Sequence, residues 1–251
     1  MLNIYLTIVL APLIGSIVVG LAGNQLGRKL SHSVTILGVA ISTILSLYVF
    51  NHHVLNDADI FNQNIYTWMQ IGGLNISVGF LVDNLTSVML VVVSFVSLMV
   101  HIYTIGYMHD DKGYTKFFSY ISLFTFAMFT LVISNNFMQL FFGWEAVGLV
   151  SYLLIGFWHH KESAIEANLK AFLVNRVGDF GFLLGIALVL MFFGTLDYAE
   201  TFSQKDQIIG QTLFGGSAIT VVCLLLFVGA MGKSAQVPLH VWLPGSMEGP
   251  T

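Results

Sequence analysis

Residues 84–107 read NLTSVMLVVVSFVSLMVHIYTIGY and contain no Lys, Arg, Asp or Glu side chain. Roughly 20 mostly apolar residues are enough to cross about 30 Å of hydrocarbon, because a helix rises about 1.5 Å per residue. This stretch is long enough to do so. It therefore predicts a transmembrane helix.

The composition of the whole chain agrees with that prediction. Of its 251 residues, 56% are hydrophobic and 9% are charged, and the mean hydropathy is +0.83. A soluble globular domain carries about 25% charged residues, so this chain cannot build a water-soluble surface. The net charge is −4, and the nine Lys and Arg residues are scattered singly, which excludes a nucleic-acid-binding surface.

Further apolar runs flank residues 84–107, so we expect an all-α integral membrane protein with about seven transmembrane helices. The first run has no basic leader, and we therefore interpret it as a span rather than a cleaved signal peptide. The further runs are Leu2–Leu21, Ser33–Phe50, Phe117–Ser134, Phe137–Trp158, Ala164–Phe193 and Thr212 to about Lys233.

One long polar interval, residues 51–79, separates the second and third predicted spans. Polar and apolar residues alternate on both sides of Gly72-Gly73, which is typical of a short β-hairpin in an external loop. Asp83 directly precedes the next span, where we expect it to cap the helix.

The basic residues of the loops predict the orientation of the chain. Loops after the first, third and fifth predicted spans carry five basic residues, whereas the loops on the other side carry only Lys205. The positive-inside rule then places the N-terminus outside and the end of the last span in the cytoplasm. The five residues are Arg28, Lys29, Lys112, Lys116 and Lys161.

Four ionisable residues lie inside the predicted spans, namely Glu145, Arg176, Asp179 and Lys233. A charge near the middle of a bilayer costs at least about 2.5–3.5 kcal/mol on insertion scales, so such residues usually have a function. Arg176 and Asp179 share one helix face, and Glu145 and Asp179 reach similar depths on antiparallel spans. Together these groups supply what a proton relay requires.

Each of these residues also has a structural interpretation. Arg176 and Asp179 could form a structural ion pair within one helix. Glu145 could be a protonated, hydrogen-bonded core acid, and Lys233 could extend to the lipid headgroups. The sequence leaves these alternatives open.

The last predicted span should be interrupted. Pro238 and Pro244 follow Lys233 closely, and neither can lie in an unbroken helix without loss of backbone hydrogen bonds. Irregular backbone at membrane depth is tolerated where it lines a cavity, so the break favours water close to Lys233.

Cofactor chemistry is not predicted for this chain. The sequence has no Gly-rich phosphate loop and no Cys cluster, so nucleotide, flavin and iron–sulfur chemistry must lie on other chains. The pairs His52-His53 and His159-His160 lie in predicted loops without supporting ligands, and we expect no metal site.

Three motifs carry a family resemblance. In this order and spacing they resemble the largest antiporter-like subunit of respiratory complex I, NADH:quinone oxidoreductase, which is called subunit L or subunit 5, and the bacterial form in particular. The motifs are GWEAVGLVSYLLIGFW at 143–158, KAFLVNRVGD at 170–179 and GKSAQVPLHVWLP at 232–244.

The resemblance implies a multi-pass protein of the bacterial inner membrane, a translocase subunit that moves protons while other subunits oxidise NADH and reduce quinone. It implies that Glu145 and Lys233 form an ion pair in a half-channel, with Lys233 as the proton carrier. Arg176 and Asp179 would lie near the neighbouring antiporter-like subunit, and we expect substitution of Asp179 to have a milder effect. No cofactor is implied in this chain, with NADH, FMN, iron–sulfur clusters and quinone bound by partner subunits.

The chain departs from the family in two respects. Family members are about twice as long or more, with a second, inverted helical repeat, so we expect an N-terminal piece. Residues 1–113 would hold the first spans and the hairpin, and residues 114–251 the first part of the proton-translocating repeat. Gly245 stands where the family usually has Asp.

Two other functions remain open at this point. The runner-up is the large subunit of a multi-subunit cation/proton antiporter, which shares these motifs, and the third is a purely structural membrane subunit. Sequence beyond Thr251 would separate the first two, since a long lateral helix favours complex I. Proton pumping by variants would test the third.

Overall fold

The structure is a computed structural model that describes residues 1–250. The chain divides into two compact units, of which the first contains Met1–Gln63 and Phe80–Ser134 and the second contains Asn64–Gly79 and the chain from Asn135 onward. The predicted domain boundary between residues 113 and 114 came from the helical repeat of the family that the chain resembles, and it stays a prediction. Among the described residues, five helices have the length and composition to cross a membrane.

The first helix, α1, comprises Leu2–Phe50 and contains one non-helical residue, Gly27, with φ 71° and ψ 175°. The chain folds back at this glycine. The two arms of α1 then lie side by side, and the Ser42 hydroxyl donates to the Ile8 carbonyl at 2.8 Å. The sequence predicted two spans with a loop at residues 22–32. The prediction of a loop is wrong. Gly27 alone turns the chain, in a conformation that other residues avoid, and the residues on both sides of it stay helical.

Helix α2 comprises Asn84–Tyr107, the bounds that the sequence predicted, and helix α3 comprises Tyr114–Val132. The Asp83 carboxylate accepts a hydrogen bond from the Thr86 backbone N–H at 2.7 Å, so the predicted cap is confirmed. Hydroxyl groups join α1 to α3. The Ser122 hydroxyl, for example, donates to the Pro12 carbonyl at 2.8 Å.

The predicted hairpin is confirmed. Strands β1, Phe61–Ile71, and β2, Leu74–Val82, form a two-stranded sheet. Gly72 and Gly73 connect them with φ angles of 54° and 88°. Two successive positive φ angles are the requirement of a tight type I′ hairpin turn, which glycine meets without strain.

The second unit contains helices α4, Phe137–Ile155, and α5, Glu162–Phe193. Smaller elements follow: α6 (Tyr198–Ser203), a 3-10 turn (Lys205–Ile208), and the strands β3 (Thr212–Leu213) and β4 (Gly216–Ser217). Helix α7 then comprises Ala218–Lys233, and the short helix α8 comprises Leu243–Ser246.

Residues 212–217 were predicted as the start of the last span, and this prediction is wrong. They form the small β3–β4 hairpin, because Phe214 and Gly215 both adopt positive φ angles, 52° and 80°, which no α-helix accommodates. Helix α7 is therefore only 16 residues long.

Glycines bring α5 and α7 into close contact. A Cβ atom at Gly178 would lie 3.1 Å from the Gly232 Cα atom, and one at Gly229 would lie 2.6 Å from the Phe182 Cβ atom. The absence of side chains at these positions lets the two backbones approach as small residues do in membrane helix pairs. The close approach sets the end of α7 against the middle of α5.

The helix ends where the sequence predicted a break. Helix α7 terminates at Lys233, and Ala235 has a positive φ of 49°. The next segment folds back under the helix end, where the Trp242 indole N–H donates to the Gly232 carbonyl at 3.0 Å. Pro238 therefore lies outside any helix, as expected from its missing N–H group.

Candidate functional site

Three helices of the second unit position the four ionisable residues that the sequence singled out. Glu145 lies on α4, Arg176 and Asp179 lie on α5, and Lys233 is the last residue of α7. The side chains form one continuous series of opposite charges. Each member of the series is therefore within reach of the next.

The distances define the order of that series. The Lys233 Nζ atom lies 3.6 Å from Asp179 Oδ2, and Arg176 Nη1 lies 4.0 Å from the same oxygen. Arg176 Nη1 also donates to both oxygens of Glu145, at 2.5 Å and 2.6 Å. The order is Lys233, Asp179, Arg176, Glu145, and we call it the charge series.

The resemblance implied a direct pair between Glu145 and Lys233, and the structure pairs these residues differently. Among the described residues, the ion pairs of Lys233 and Glu145 are with Asp179 and Arg176 respectively. The physical reason is the i, i+3 spacing on α5, which places a carboxylate and a guanidinium between the two other charges. Asp179 is thus the direct partner of the lysine.

Asp179 is the most buried member of the charge series and Arg176 is the most exposed. The Arg176 side chain is 50% exposed and the Glu145 side chain 24%, whereas Lys233 is 19% exposed and Asp179 only 5%. A buried carboxylate needs a compensating charge or hydrogen-bond donors. Asp179 has both, whereas the exposed half of Arg176 leaves donor capacity for a further partner.

Two residues on α4 that the sequence analysis did not single out shape the site. The Trp144 indole N–H donates to Asp179 Oδ1 at 2.8 Å, and its ring stacks on Phe182 at 4.9 Å between centroids. A Cβ atom at Gly148 would lie 2.5 Å from Lys233 Nζ, so the missing side chain leaves the room that the ammonium group occupies. Both residues are part of the first motif, and their spacing of four on a helix was a usable signal.

Two asparagines lie on the same helix as Asp179, α5. Asn168, Asn175 and Asp179 are separated by seven and four residues, which places them on one helix face. The Oδ1 atoms of Asn168 and Asn175 are buried without a hydrogen-bond partner. A buried amide oxygen without a partner is costly, and water commonly fills such a position.

The chemistry available at the site is proton transfer coupled to charge movement. The second unit brings an ammonium group, two carboxylates and a guanidinium together inside apolar helices, with amide oxygens beside them. In the part of the chain that the structure describes, no three His, Cys, Asp or Glu side chains are grouped as a metal site would need.

The fold and the site together define a class, the antiporter-like membrane proteins with paired charges in helices. Family models agree. Residues 134–251 match the NADH:quinone oxidoreductase/Mrp antiporter TM family, and residues 68–118 match the family described as NADH-ubiquinone oxidoreductase (complex I), chain 5 N-terminus. The chain belongs to this antiporter-like family of complex I chain 5 and Mrp subunits.

Individual relatives sharpen the assignment. The chain is 64% identical, over its full length, to NADH-quinone oxidoreductase subunit L of Neisseria meningitidis serogroup B, and spans 38% of that protein. It is 44% identical, over 99% of its length, to the subunit L of Rickettsia felis, and spans 39% of it. The chain thus spans less than half the length of the curated relatives it matches.

A solved structure shares the fold. The structure of the Mrp complex from Dietzia sp. DQ12-45-1b superposes with a TM-score of 0.81 at 23% sequence identity, over 98% of this chain and 25% of the other. At 23% identity the similarity shows a shared fold alone.

Proposed function

We propose that the chain is part of a proton-translocating membrane-arm subunit of an NADH:quinone oxidoreductase. Its relatives carry that name, and the charge series places a titratable ammonium group beside a buried carboxylate inside apolar helices. Partner subunits would hold NADH, FMN, iron–sulfur clusters and quinone, and this chain would supply the proton path. The one observation that carries the proposal is the Lys233–Asp179 pair, because it joins a buried acid to a lysine.

Lys233 is the proposed proton carrier. In a site of low dielectric constant, an ammonium group held by a carboxylate keeps its proton, whereas one without a counter-ion loses it more readily. Asp179 is shared between Lys233 and Arg176. A movement that draws Asp179 towards Arg176 would therefore leave Lys233 unpaired and release its proton.

Arg176 is the proposed point of coupling to a neighbouring antiporter-like subunit. Its side chain is half exposed, and its guanidinium already donates to Glu145. A carboxylate of a neighbour that binds this guanidinium would weaken its hold on Glu145 and Asp179. The charge series would then pass a change at the subunit surface to Lys233.

The buried oxygens of Asn168 and Asn175 support a water-filled route to Lys233. They lie one and three helical turns from Asp179 on the same face of α5. A chain of water molecules between these oxygens would connect the Glu162 end of the helix to the charge series.

For topology, we propose seven spans in the bacterial inner membrane, with the N-terminus outside. The fold-back of α1 at Gly27 would make the first two spans, and α7 would make the last. The bias of basic residues supports the orientation. A Lys112→Cys variant should resist an impermeant thiol reagent added from outside, and ready labelling would contradict the orientation.

The function is tested with Lys233→Met in the complete assembly. Without the carrier, NADH-driven proton uptake into inverted membrane vesicles should fall by at least about tenfold, because positioned proton transfer groups contribute that much or more. Coupled NADH oxidation should fall with it, since a blocked step stalls the enzyme. Lys205→Met, in the exposed 3-10 turn, is the matched control and should leave both rates unchanged.

Normal proton-to-electron stoichiometry in Lys233→Met, with assembly confirmed, would contradict the proposal and leave a structural role. The alternative is a cation/proton antiporter, which the family description and the Mrp fold similarity favour. In that case the wild-type vesicles would exchange Na⁺ for protons without NADH.

A further inference from the structure

A cavity of about 470 Å³ opens in the first unit, between the first arm of α1 and the beginning of α3. Its volume is within the range of small-ligand sites, about 300–1,000 Å³. It lies far along the sequence from the charge series, and none of its lining residues belongs to that series. The proposed proton path therefore leaves it unexplained.

The polar side chains that line the cavity include two basic ones. Lys112 and Lys116 both line it, together with the amide of Asn24 and the hydroxyl of Thr115. The Lys116 ammonium group lies 5.4 Å from the centre of the Tyr120 ring, which also lines the cavity. Within the described lining residues there is no carboxylate, so the cavity favours an anion with several hydrogen-bond acceptors.

Part of the cavity lining is apolar. Val19 and Leu21 line it; Val19 is buried, whereas Leu21 is 84% exposed on the surface of a helix that is apolar enough to cross a membrane. A free inorganic anion would gain nothing from the Leu21 side chain. A ligand with an anionic head and a hydrocarbon tail would contact both the lysines and Leu21.

Two glycines of α1 let it approach α3 closely beside the cavity. A Cβ atom at Gly20 would lie 2.9 Å from the Ser119 Oγ atom, and one at Gly23 would lie 3.1 Å from the Thr115 Cβ atom. The helices therefore meet closely along one edge, and Gly20 itself lines the cavity. The contact between the two helices beside the cavity is thus fixed by close packing at Gly20 and Gly23.

We propose that this cavity binds the phosphodiester headgroup of an anionic phospholipid, with Lys112 and Lys116 on the phosphate and one acyl chain along Leu21. Basic pockets between helices at the charged end of a membrane protein recognise such headgroups. The occupant is a lipid rather than free phosphate because Leu21 continues the exposed apolar surface that α1 presents at Ile14 and Ile17. The neighbouring Asp111 carboxylate accepts from the Gly113 N–H at 2.6 Å and so helps to shape the lysine-bearing loop.

The test uses the complete membrane assembly, reconstituted with photoactivatable phosphatidylglycerol or with phosphatidylcholine that carries the same probe on its acyl chain. Labelling is mapped by mass spectrometry to residues 19–24 and 112–120. Each lysine near an anionic headgroup contributes about fivefold in affinity, so the Lys112→Gln/Lys116→Gln double variant should lose about 25-fold. Lys29→Gln is the matched control, because this exposed lysine does not line the cavity, and it should label as the wild type does.

Preferential labelling by phosphatidylglycerol, lost in the double variant and kept in the control, is the expected result. Equal labelling by the two lipids, or unchanged labelling of the double variant, would overturn the proposal in favour of non-specific lipid contact. Loss of labelling on addition of a few millimolar inorganic phosphate would also overturn it, since the site would then bind a free anion.

Discussion

In the first unit, serine hydroxyls join α1 to α3 by bonds to helix backbone, whereas in the second unit charged side chains of three helices pair with one another. The Ser16 hydroxyl donates to the Ser119 carbonyl at 2.8 Å, and the Ser122 hydroxyl donates to the Pro12 carbonyl at the same distance. Such neutral bonds join helices at little cost in desolvation. They stabilise packing and cannot carry charge.

The second unit buries Asp179 beside Lys233 and leaves two amide oxygens of the same helix without partners. A structure selected only for stability would replace these groups with apolar ones, because buried ion pairs seldom add net stability. From this difference we predict that the charges of the second unit serve transport, while the α1–α3 hydroxyls of the first unit serve as structural contacts. The predictions below test that division of roles, in order of decreasing effect on proton transport.

The largest effect after loss of Lys233 concerns its carboxylate partner. Because Asp179 is the residue in contact with Lys233, Asp179→Asn should lower NADH-driven proton uptake at least as much as Glu145→Gln, by about tenfold. The family resemblance alone predicts the milder effect at Asp179. A clearly larger loss in Glu145→Gln would show that the direct Glu145–Lys233 pair implied by the family is the working arrangement.

Gly148 should be the most sensitive position without a charge. The methyl group of Gly148→Ala would lie 2.5 Å from Lys233 Nζ and push the ammonium group away from Asp179. Misplacing a reacting group by about an ångström costs up to about a hundredfold, and the flexible lysine can retreat in part, so we expect about a fivefold loss of proton uptake. Proton uptake at equal levels of assembled enzyme measures it.

Gly106→Ala is the matched control for that substitution, because nothing lies within 4 Å of a Cβ atom at Gly106 in α2. It should leave transport unchanged and slightly stabilise the helix, by up to about 1 kcal/mol. Equal losses in the two variants would mean that the effect at Gly148 is one of helix flexibility rather than of the room for Lys233.

The sequence predicted the fold well where periodicity and glycine chemistry are local. The hairpin at Gly72-Gly73, the cap at Asp83 and the helix end at Lys233 each depend on residues within one or two turns of each other. The loop at residues 22–32 and the helix start at Thr212 were wrong because each depended on a glycine whose positive φ angle the apolar pattern does not reveal. A hydropathy pattern is an average over many residues, so it does not show a turn made by one or two of them.

The sequence singles out the four charged residues but does not give the pairing that the structure shows. All four charges could be recognised because each interrupts an apolar run. Which carboxylate contacts Lys233 depends on how closely α5 and α7 approach, and that is set by Gly178 and Gly232. Sequence spacing within one helix gives Arg176 and Asp179 as neighbours, but it carries no information about contacts across helices.

A smaller effect is expected at the asparagine nearest the charge series. Asn175→Leu keeps the branched shape of the side chain but removes the buried amide that would hold water, so proton uptake should fall by about threefold while assembly is retained. The control is Ser122→Ala in the first unit, which should cost about 1 kcal/mol in stability and leave transport unchanged. A transport loss in the serine variant that matches the asparagine variant would contradict the division of roles.

The smallest effect on transport is expected at His101, the residue of the first unit that most resembles a proton carrier. Its ring is fully buried in α2, Nδ1 contacts the Ser97 carbonyl at 2.8 Å, and Nε2 has no hydrogen-bond partner. If the first unit is structural, the ring only fills space and satisfies one backbone carbonyl. His101→Asn keeps a donor for the Ser97 carbonyl but removes every titratable nitrogen, so proton uptake should stay within about twofold of wild type. The smaller side chain leaves a cavity beside Phe118, and we expect a loss of thermal stability of about 1–3 kcal/mol, measured as a lower Tm of the assembled enzyme. His101→Leu separates the two roles further, because it restores volume and removes the donor as well. Loss of proton uptake in both variants, at unchanged assembly, would place a second proton-transfer group in the first unit and end the contrast between the two.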